Sequence, residues 1–501
     1  MATVRGAPGT VPDSSTPDRQ LKHNAIGLVA AATLGIVFMS PAYAFYGNWG
    51  PVAGTVGIQT VAVFWIAALV ILPTALSYAF VARKLTSAGS AYAWIGRLTN
   101  RHIGNWLGWI LLTFYGLVLV AVPALFGLFF NAFLNDIGIH VDPTNPWTYS
   151  LGVVIVFGVA SLFAFPGIRS STRAATLIVG FEILVIVALA TTILVKHTGS
   201  LSLQPFNPTG NAITSSFWVV LPIAFYSFTG FDVVATAAEE TKLARRSIPL
   251  ATLAAVGIFT LFMIYTVYSF TFAVPVDQIA NLVTSGITPV TPIAQQYWGG
   301  GGVLISITGL TAGTGALLAV LIGTSRVMFA MGRDRALFAA AGRLHPRFQT
   351  PWTAMIALIV VGLVYDLAVG QWIGALNAYF WAGTATAFFA LVTYTFVNIG
   401  NFLLYFRKPD FNIVWNALVP LAGIVLSIWV LWVSFVQALW NAGWVTIGRG
   451  IVVFAFGWAA VGLVYAFIVR NRARPPRVEG LAADADLSAT SALDGLAGHA
   501  S

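Results

Sequence analysis

The chain has 501 residues, of which 58% are hydrophobic and only 8% charged. A soluble domain carries about 25% charged residues, so a water-soluble fold is excluded and the sequence reads as an all-α integral membrane protein. The absence of cysteine excludes disulfides, thiolate metal sites and cysteine nucleophiles. The formal net charge of +9 raises nucleic-acid binding as a class, but that needs a basic face in water, and the placement of the charge argues against it.

Residues 1–23 are rich in Pro, Ser, Thr and Gly and lack an apolar core, which predicts a disordered tail rather than a cleaved signal. Apolar runs of spanning length follow at about 25–48, 52–82, 103–134, 147–166, 173–195, 213–239, 250–274, 302–331, 352–370, 373–406, 412–439 and 449–470, which predicts twelve transmembrane helices. Ala88 to Leu98 is short and amphipathic and reads as an interfacial or re-entrant piece. Residues 24–470 form the membrane domain, and 471–501 are read as a second disordered tail. With twelve spans both tails share a side. Arginines and lysines from the loops sort with them, and only Lys196 and Arg449 fall opposite. The positive-inside rule then places both termini in the cytoplasm, the chain in the cell membrane, and the basic charge against the lipid bilayer.

Two spans carry their own interruptions. In the first, Pro41 deprives the Val37 carbonyl of its helical partner, beside Thr33, Gly35 and Ser40. In the sixth, Phe217 to Ala238 contains Pro222, a weakly helical Ser227–Gly230 stretch and one carboxylate, Asp232. Paired breaks in corresponding spans point to inverted repeats with a site near the midplane. The repeats would be 25–197 and 213–407, with the last two spans, about 411–470, appended.

FYSFTGFDVVATAAEETKLARRSIP (225–249), GSAYAW (89–94) and SRVMFAMGRDRALFAAAGRLHPRFQTP (325–351) together resemble the amino acid–polyamine–organocation (APC) permeases. The Gly230-Phe231-Asp232 triplet is most similar to the branch that contains the cationic amino acid transporters. The resemblance implies a leucine-transporter-like 5+5 inverted repeat with helices 1 and 6 broken, and alternating access. It also implies a substrate whose carboxylate meets helix 1 amides and whose ammonium meets helix 6. This sequence departs from the family in two places. The glycine-rich cradle of helix 1 is replaced by Thr33-Leu34-Gly35-Ile36 and Met39-Ser40-Pro41, and Glu182 stands where some proton-coupled relatives have a lysine.

The expected substrate site therefore comprises Gly35, Ile36 and Ser40 of the first span, Tyr115 of the third, and Phe225, Tyr226, Ser227, Phe228, Thr229, Gly230 and Asp232 of the sixth, with Tyr379 a weaker candidate. The plain alternatives are packing for the aromatic residues and, for Asp232, acceptance of hydrogen bonds from amides freed by the break. No Lys, Arg or His is expected deep in a span, so a buried acid must take a proton or find a cation. Glu182 is read as the coupling residue, with Thr311 and Thr314 as possible cation ligands or simple packing residues. Glu239 and Glu240 are expected to pair with Arg245, Arg246 or Arg333 as a gate, or to form a solvated rim.

The six histidines have no metal-ligand spacing, and no phosphate loop supports ATP-driven pumping. No cofactor is implied and no nucleophile, base and orienting group converge, so the chain is not read as an enzyme. The reading is a secondary-active carrier of an amino acid or related organic amine, proton-coupled. An exchanger or organocation carrier is the transport alternative, and a membrane ligand sensor the alternative from another class. The oligomeric state is not legible.

Overall fold

The computed structural model describes residues 21–142, 145–208, 215–285, 287–445 and 447–478. Among them the chain is helical throughout, with a single parallel bridge between Ile26 and Thr241 in place of any strand. The helices are α1 Leu28–Met39, α2 Pro41–Val56, α3 Thr60–Lys84, α4 Ser90–Leu98, α5 Arg101–Asp136, α6 Pro146–Ala164, α7 Ile168–Lys196, α8 Ser215–Ser227 and α9 Val233–Thr236. They continue with α10 Ala244–Phe270, α11 Val276–Thr284, α12 Val290–Trp298, α13 Val303–Arg333, α14 Trp352–Tyr365, α15 Gln371–Ile373, α16 Ala375–Tyr405, α17 Val419–Val430 and α18 Arg449–Val469.

Ten helical segments among the described residues are long and apolar enough to cross a membrane. One of these, Leu28–Lys84, runs for 57 residues. At 1.5 Å per residue that is far longer than a hydrocarbon core of about 30 Å requires. The sixth expected span is absent from the ten because its helix stops early, at Ser227. Its break is the reason. The amphipathic α4 lies where the sequence places it. By contrast, α11 and α12, between α10 and α13, have no counterpart in the sequence reading. Each is nine residues long, below the length that hydropathy detects.

Apolar side chains such as Leu162, Leu177, Leu261 and Phe467 point outward from the bundle, as a lipid-facing surface requires. The interior is built from α1, α3, α5, α10, α13 and α16, with α17 and α18 packed outside α3 and α5. Close approach there depends on small residues. A Cβ on Gly104 of α5 would stand 2.4 Å from the Gly96 Cα of α4.

The expectation of disordered tails requires a correction where they are described. Residues 1–20 and 479–501 lie outside the described residues, but Leu21 is buried against Ala88 and Phe329. After α18, Ala473 is buried, the Arg474 N–H donates to the Asp334 carbonyl at 2.7 Å, and Ser87 Oγ donates to the Arg477 carbonyl at 2.9 Å. The Pro475-Pro476 pair favours an extended chain, and Pro476 fits against side-chain-free Gly96. Polar composition concealed this strap because its anchors are mostly backbone groups.

Candidate functional site

Both expected breaks are present and they face each other. Between α1 and α2 the break is one residue wide: Ser40 adopts φ +50° and Pro41 begins the second half-helix. Its two sides stay aligned through Ser40 N–H to Ile36 O at 2.9 Å and Ala44 N–H to Ser40 O at 2.8 Å. The second break is wider. From Phe228 to Asp232 the chain runs in tight turns, with Phe228 N–H donating to Phe225 O at 3.0 Å, Thr229 N–H to Tyr226 O at 3.1 Å and Val233 N–H to Gly230 O at 3.1 Å. Gly230 has φ +104°, a region costly for any residue with a Cβ. The ring of Phe38 fills the space where that Cβ would be.

A cavity of about 20 Å³ lies between the breaks, room for about one water and not for an organic solute. Of the expected residues, Ser40, Tyr226, Ser227, Thr229 and Tyr379 line it. Met39, from the altered stretch of the first span, lines it too, and residues not singled out from the sequence complete it: Phe38, Tyr43, Ala44, Asn48, Val118 and Val122. The hydroxyls of Ser40 and Tyr43 are buried without a hydrogen-bond partner among the described residues. Among the described residues the cavity wall carries no charged side chain.

A polar network runs along one side of the cavity. Asn48 Nδ2 donates to Ser227 Oγ at 2.8 Å, and the Tyr379 hydroxyl donates to Asn48 Oδ1 at 3.0 Å. This ties α2, α8 and α16 together. The rings of Tyr226 and Tyr379 stand 6.1 Å apart across it. On the other side Phe38 packs 5.2 Å from Tyr115.

Asp232 is fully buried but outside the cavity. The Tyr115 hydroxyl donates to its Oδ2 at 2.6 Å and the Tyr394 hydroxyl to its Oδ1 at 2.8 Å, while Tyr394 also accepts from the Gly230 N–H at 3.3 Å. The acid therefore fastens the second break to α5 and α16. Each bond to a carboxylate is charge-assisted. Tyr115 serves this clamp rather than the cavity. Tyr394, its second phenol, was missed because no local pattern joins residues 162 positions apart.

Glu182 on α7 is buried and accepts a hydrogen bond from the backbone N–H of Ala42. A side-chain carboxylate thus caps the N-terminus of α2, where unsatisfied donors and the helix dipole favour an anion. The Thr311 and Thr314 hydroxyls donate to Thr308 O at 3.1 Å and Leu310 O at 3.0 Å in their own helix. Gly35 is a crossing point, where a Cβ would meet Val234 at 2.7 Å. Ile36 is buried outside the cavity lining. Phe225 packs 6.4 Å from Tyr394 and Phe228 5.6 Å from Phe259.

Of the expected charged partners, Arg333 is found and Arg245 and Arg246 are not. Arg326 lies fully buried in α13 and forms an ion pair with Glu240, and its Nη1 donates to Ile322 O at 2.9 Å. A deep cation does exist, and the expectation of none is corrected. Glu239 takes Arg333 through both oxygens, each at 3.2 Å, together with the Ala88 N–H at 2.9 Å. The Glu240 carbonyl receives Ala25 N–H at 2.7 Å and Ile26 N–H at 3.1 Å, so the chain start is laced to the same corner. Arg245 and Arg246 are not partners of either glutamate. Leu243 turns the chain at φ +50°, and both arginines project to a groove on another face. Arg326 precedes Arg333 by seven residues, two turns on one helix face, a signal within the quoted 325–351 stretch that marks both arginines together. Asp366 was also overlooked. It is buried in a π-helical turn, Asp366–Gly370, and neither carboxylate oxygen has a hydrogen-bond partner among the described residues.

Two interrupted helices flanking a small cavity, in an all-helical apolar chain, fit a membrane transport protein. The chain belongs to the amino acid permease family, which it matches over residues 26–469, within the APC superfamily. It is 28% identical over 447 residues to a branched-chain amino acid permease of Bacillus subtilis, covering 84% of this chain and 88% of that one. It is 27% identical over 467 residues to a low-affinity putrescine importer of Escherichia coli, covering 90% and 94%. A methylthioribose transporter of Bacillus subtilis is 24% identical over 427 residues, covering 78% and 86%. The functional class is transport of a small molecule across a membrane.

Proposed function

We propose that the protein is a proton-coupled, secondary-active carrier of an amino acid or related organic amine that works by alternating access in the cell membrane, with both termini cytoplasmic. The observation that carries this reading is the pair of facing helix breaks with a cavity of about 20 Å³ between them, too small to hold an organic solute. Broken helices flanking a small site near the midplane are the arrangement expected of a carrier. Twelve crossings in a 5+5 inverted repeat, with 57-residue Leu28–Lys84 counted as two and α8 with α9 as one, fit this mechanism.

In this reading, substrate enters when the Asn48–Ser227–Tyr379 network parts and leaves when the opposite corner opens at Glu239–Arg333 and Glu240–Arg326. The Asp232 clamp holds the second break in register with α5 and α16. Glu182 accepts the coupling proton: neutralising it weakens its hold on the Ala42 N–H and loosens α2 from α7. The capping carboxylate also supports the organocation alternative, because it occupies a donor that a substrate carboxylate would need. Recognition of an ammonium then falls to hydroxyl and carbonyl oxygens and to the faces of Tyr43, Tyr226 and Tyr379.

Uptake into proteoliposomes tests the transport claim, after thermal-shift screening of amino acids, amines and polyamines has identified a ligand. Accumulation driven by an inward proton gradient is expected. Binding without flux would instead identify a sensor. In competition, decarboxylated or amidated analogues should retain affinity and deaminated ones should lose it. A deaminated acid that competes while the matching amine does not would reverse the assigned polarity.

A further inference from the structure

We infer that Arg83, Arg245 and Arg246 form a binding site for the headgroup of an anionic phospholipid, with an acyl chain lying in the groove beneath them. The groove has a volume of about 630 Å³, and it opens on the outer surface of the bundle between α3 and α10. Arg83 comes from the last turn of α3, and Arg245 and Arg246 from the first turn of α10. Residues 162 positions apart thus present three guanidinium groups along one rim. Below them the walls are apolar: Leu76 on α3, Pro249 and Leu253 on α10, and the Trp415 ring, which stacks on Phe80 at 5.9 Å and 30°.

Charge complementarity selects the occupant. Arg245 and Arg246 are exposed and make no ion pair among the described residues. The acids that the sequence offered them, Glu239 and Glu240, are held by Arg333 and Arg326. The nearest acid toward Arg83 is Asp410, which is bonded to Lys84 at 2.5 Å. The rim therefore keeps a surplus of positive charge beside an apolar groove at the end of two membrane helices. A soluble anion would satisfy the rim and leave the groove bare, whereas a phospholipid satisfies both. Basic pockets between membrane helices bind acidic headgroups in this way, and guanidinium suits phosphate because its paired donors match two oxygens.

The test uses the purified full-length protein in neutral detergent, titrated with dioleoyl phosphatidylglycerol or with phosphatidylcholine of the same chains. Phosphatidylglycerol should raise the apparent melting temperature further than phosphatidylcholine does. The Arg83→Gln/Arg245→Gln/Arg246→Gln variant should lose that difference, with apparent phosphatidylglycerol affinity down at least tenfold and the phosphatidylcholine response unchanged. An Arg470→Gln/Arg472→Gln control, on the same side but away from the groove, should keep it. Glycerol 3-phosphate, a soluble phosphate anion without acyl chains, should neither stabilise nor compete. Equal stabilisation by the two lipids, retention of the difference in the triple variant, its loss in the control, or full competition by glycerol 3-phosphate would each overturn the assignment.

Discussion

Replacing Gly230 by alanine adds one methyl group at the junction of both helix breaks. The new Cβ would stand 2.1 Å from Phe38 Cδ1 and 2.7 Å from Cε1, well inside contact distance, on a backbone at φ +104°. Overpacking of a close-packed interior costs about 1–3 kcal/mol, and the backbone conformation adds about 1–2 kcal/mol once a Cβ is present. Phe38 has little freedom to yield, because its ring rests 5.2 Å from Tyr115 and borders a cavity of about 20 Å³. If the combined cost of about 2–5 kcal/mol falls on the closed state, apparent substrate affinity drops at least about thirtyfold, at 1.4 kcal/mol per factor of ten. Binding by thermal shift and uptake by proteoliposomes measure this directly. Combining Gly230→Ala with Phe38→Leu should recover the steric part and leave the backbone part, a non-additivity of about 1–3 kcal/mol in a double-mutant cycle. Unchanged binding in Gly230→Ala, or strict additivity with Phe38→Leu, would refute the reasoning.

Glu182→Gln should abolish accumulation driven by a proton gradient while preserving substrate exchange. Full sodium-dependent uptake by the unmodified protein without a proton gradient would remove Glu182 from the coupling role. Arg326→Met and Glu240→Gln should each destabilise the protein by about 3–5 kcal/mol, because each strands a buried partner. The double variant should lie closer to the unmodified protein in a melting assay, and equal or additive losses would show that the two do not act as a pair. Asp334, just beyond α13, has its carboxyl pushed up to about 6 by burial, which outweighs the lowering influence of Arg333 and of the Tyr92 hydroxyl bond. A raised acid favours the folded state when protonated, so its contribution is present below the ordinary carboxylate range and is lost as pH rises through about 6. The size of this loss is on the order of 3 kcal/mol. Asp334→Asn should therefore flatten the fall in melting temperature between pH 4 and 7, and an identical profile in both proteins would exclude this group as the cause.

Sequence alone determined the class of this protein, because the bilayer dictates element length and apolarity so strongly that hydropathy registers most spans directly. It also located both helix breaks, since proline and glycine act on the backbone within a turn of where they stand. Partnership was a different matter. The sequence suggested Arg245, Arg246 or Arg333 for Glu239 and Glu240, yet the turn at Leu243 carries the first two away. Arg333 and buried Arg326 reach the glutamates from a helix some 90 residues further on. Asp232 reads locally as a lone acid facing substrate, and only the packing of α5 and α16 supplies the two phenols that turn it into a clamp. The cavity likewise draws Phe38, Tyr43, Asn48 and Val118 from positions without motif character. Local backbone chemistry is written in neighbouring residues, whereas the partner of a buried polar group is chosen by whichever distant helix packs against it.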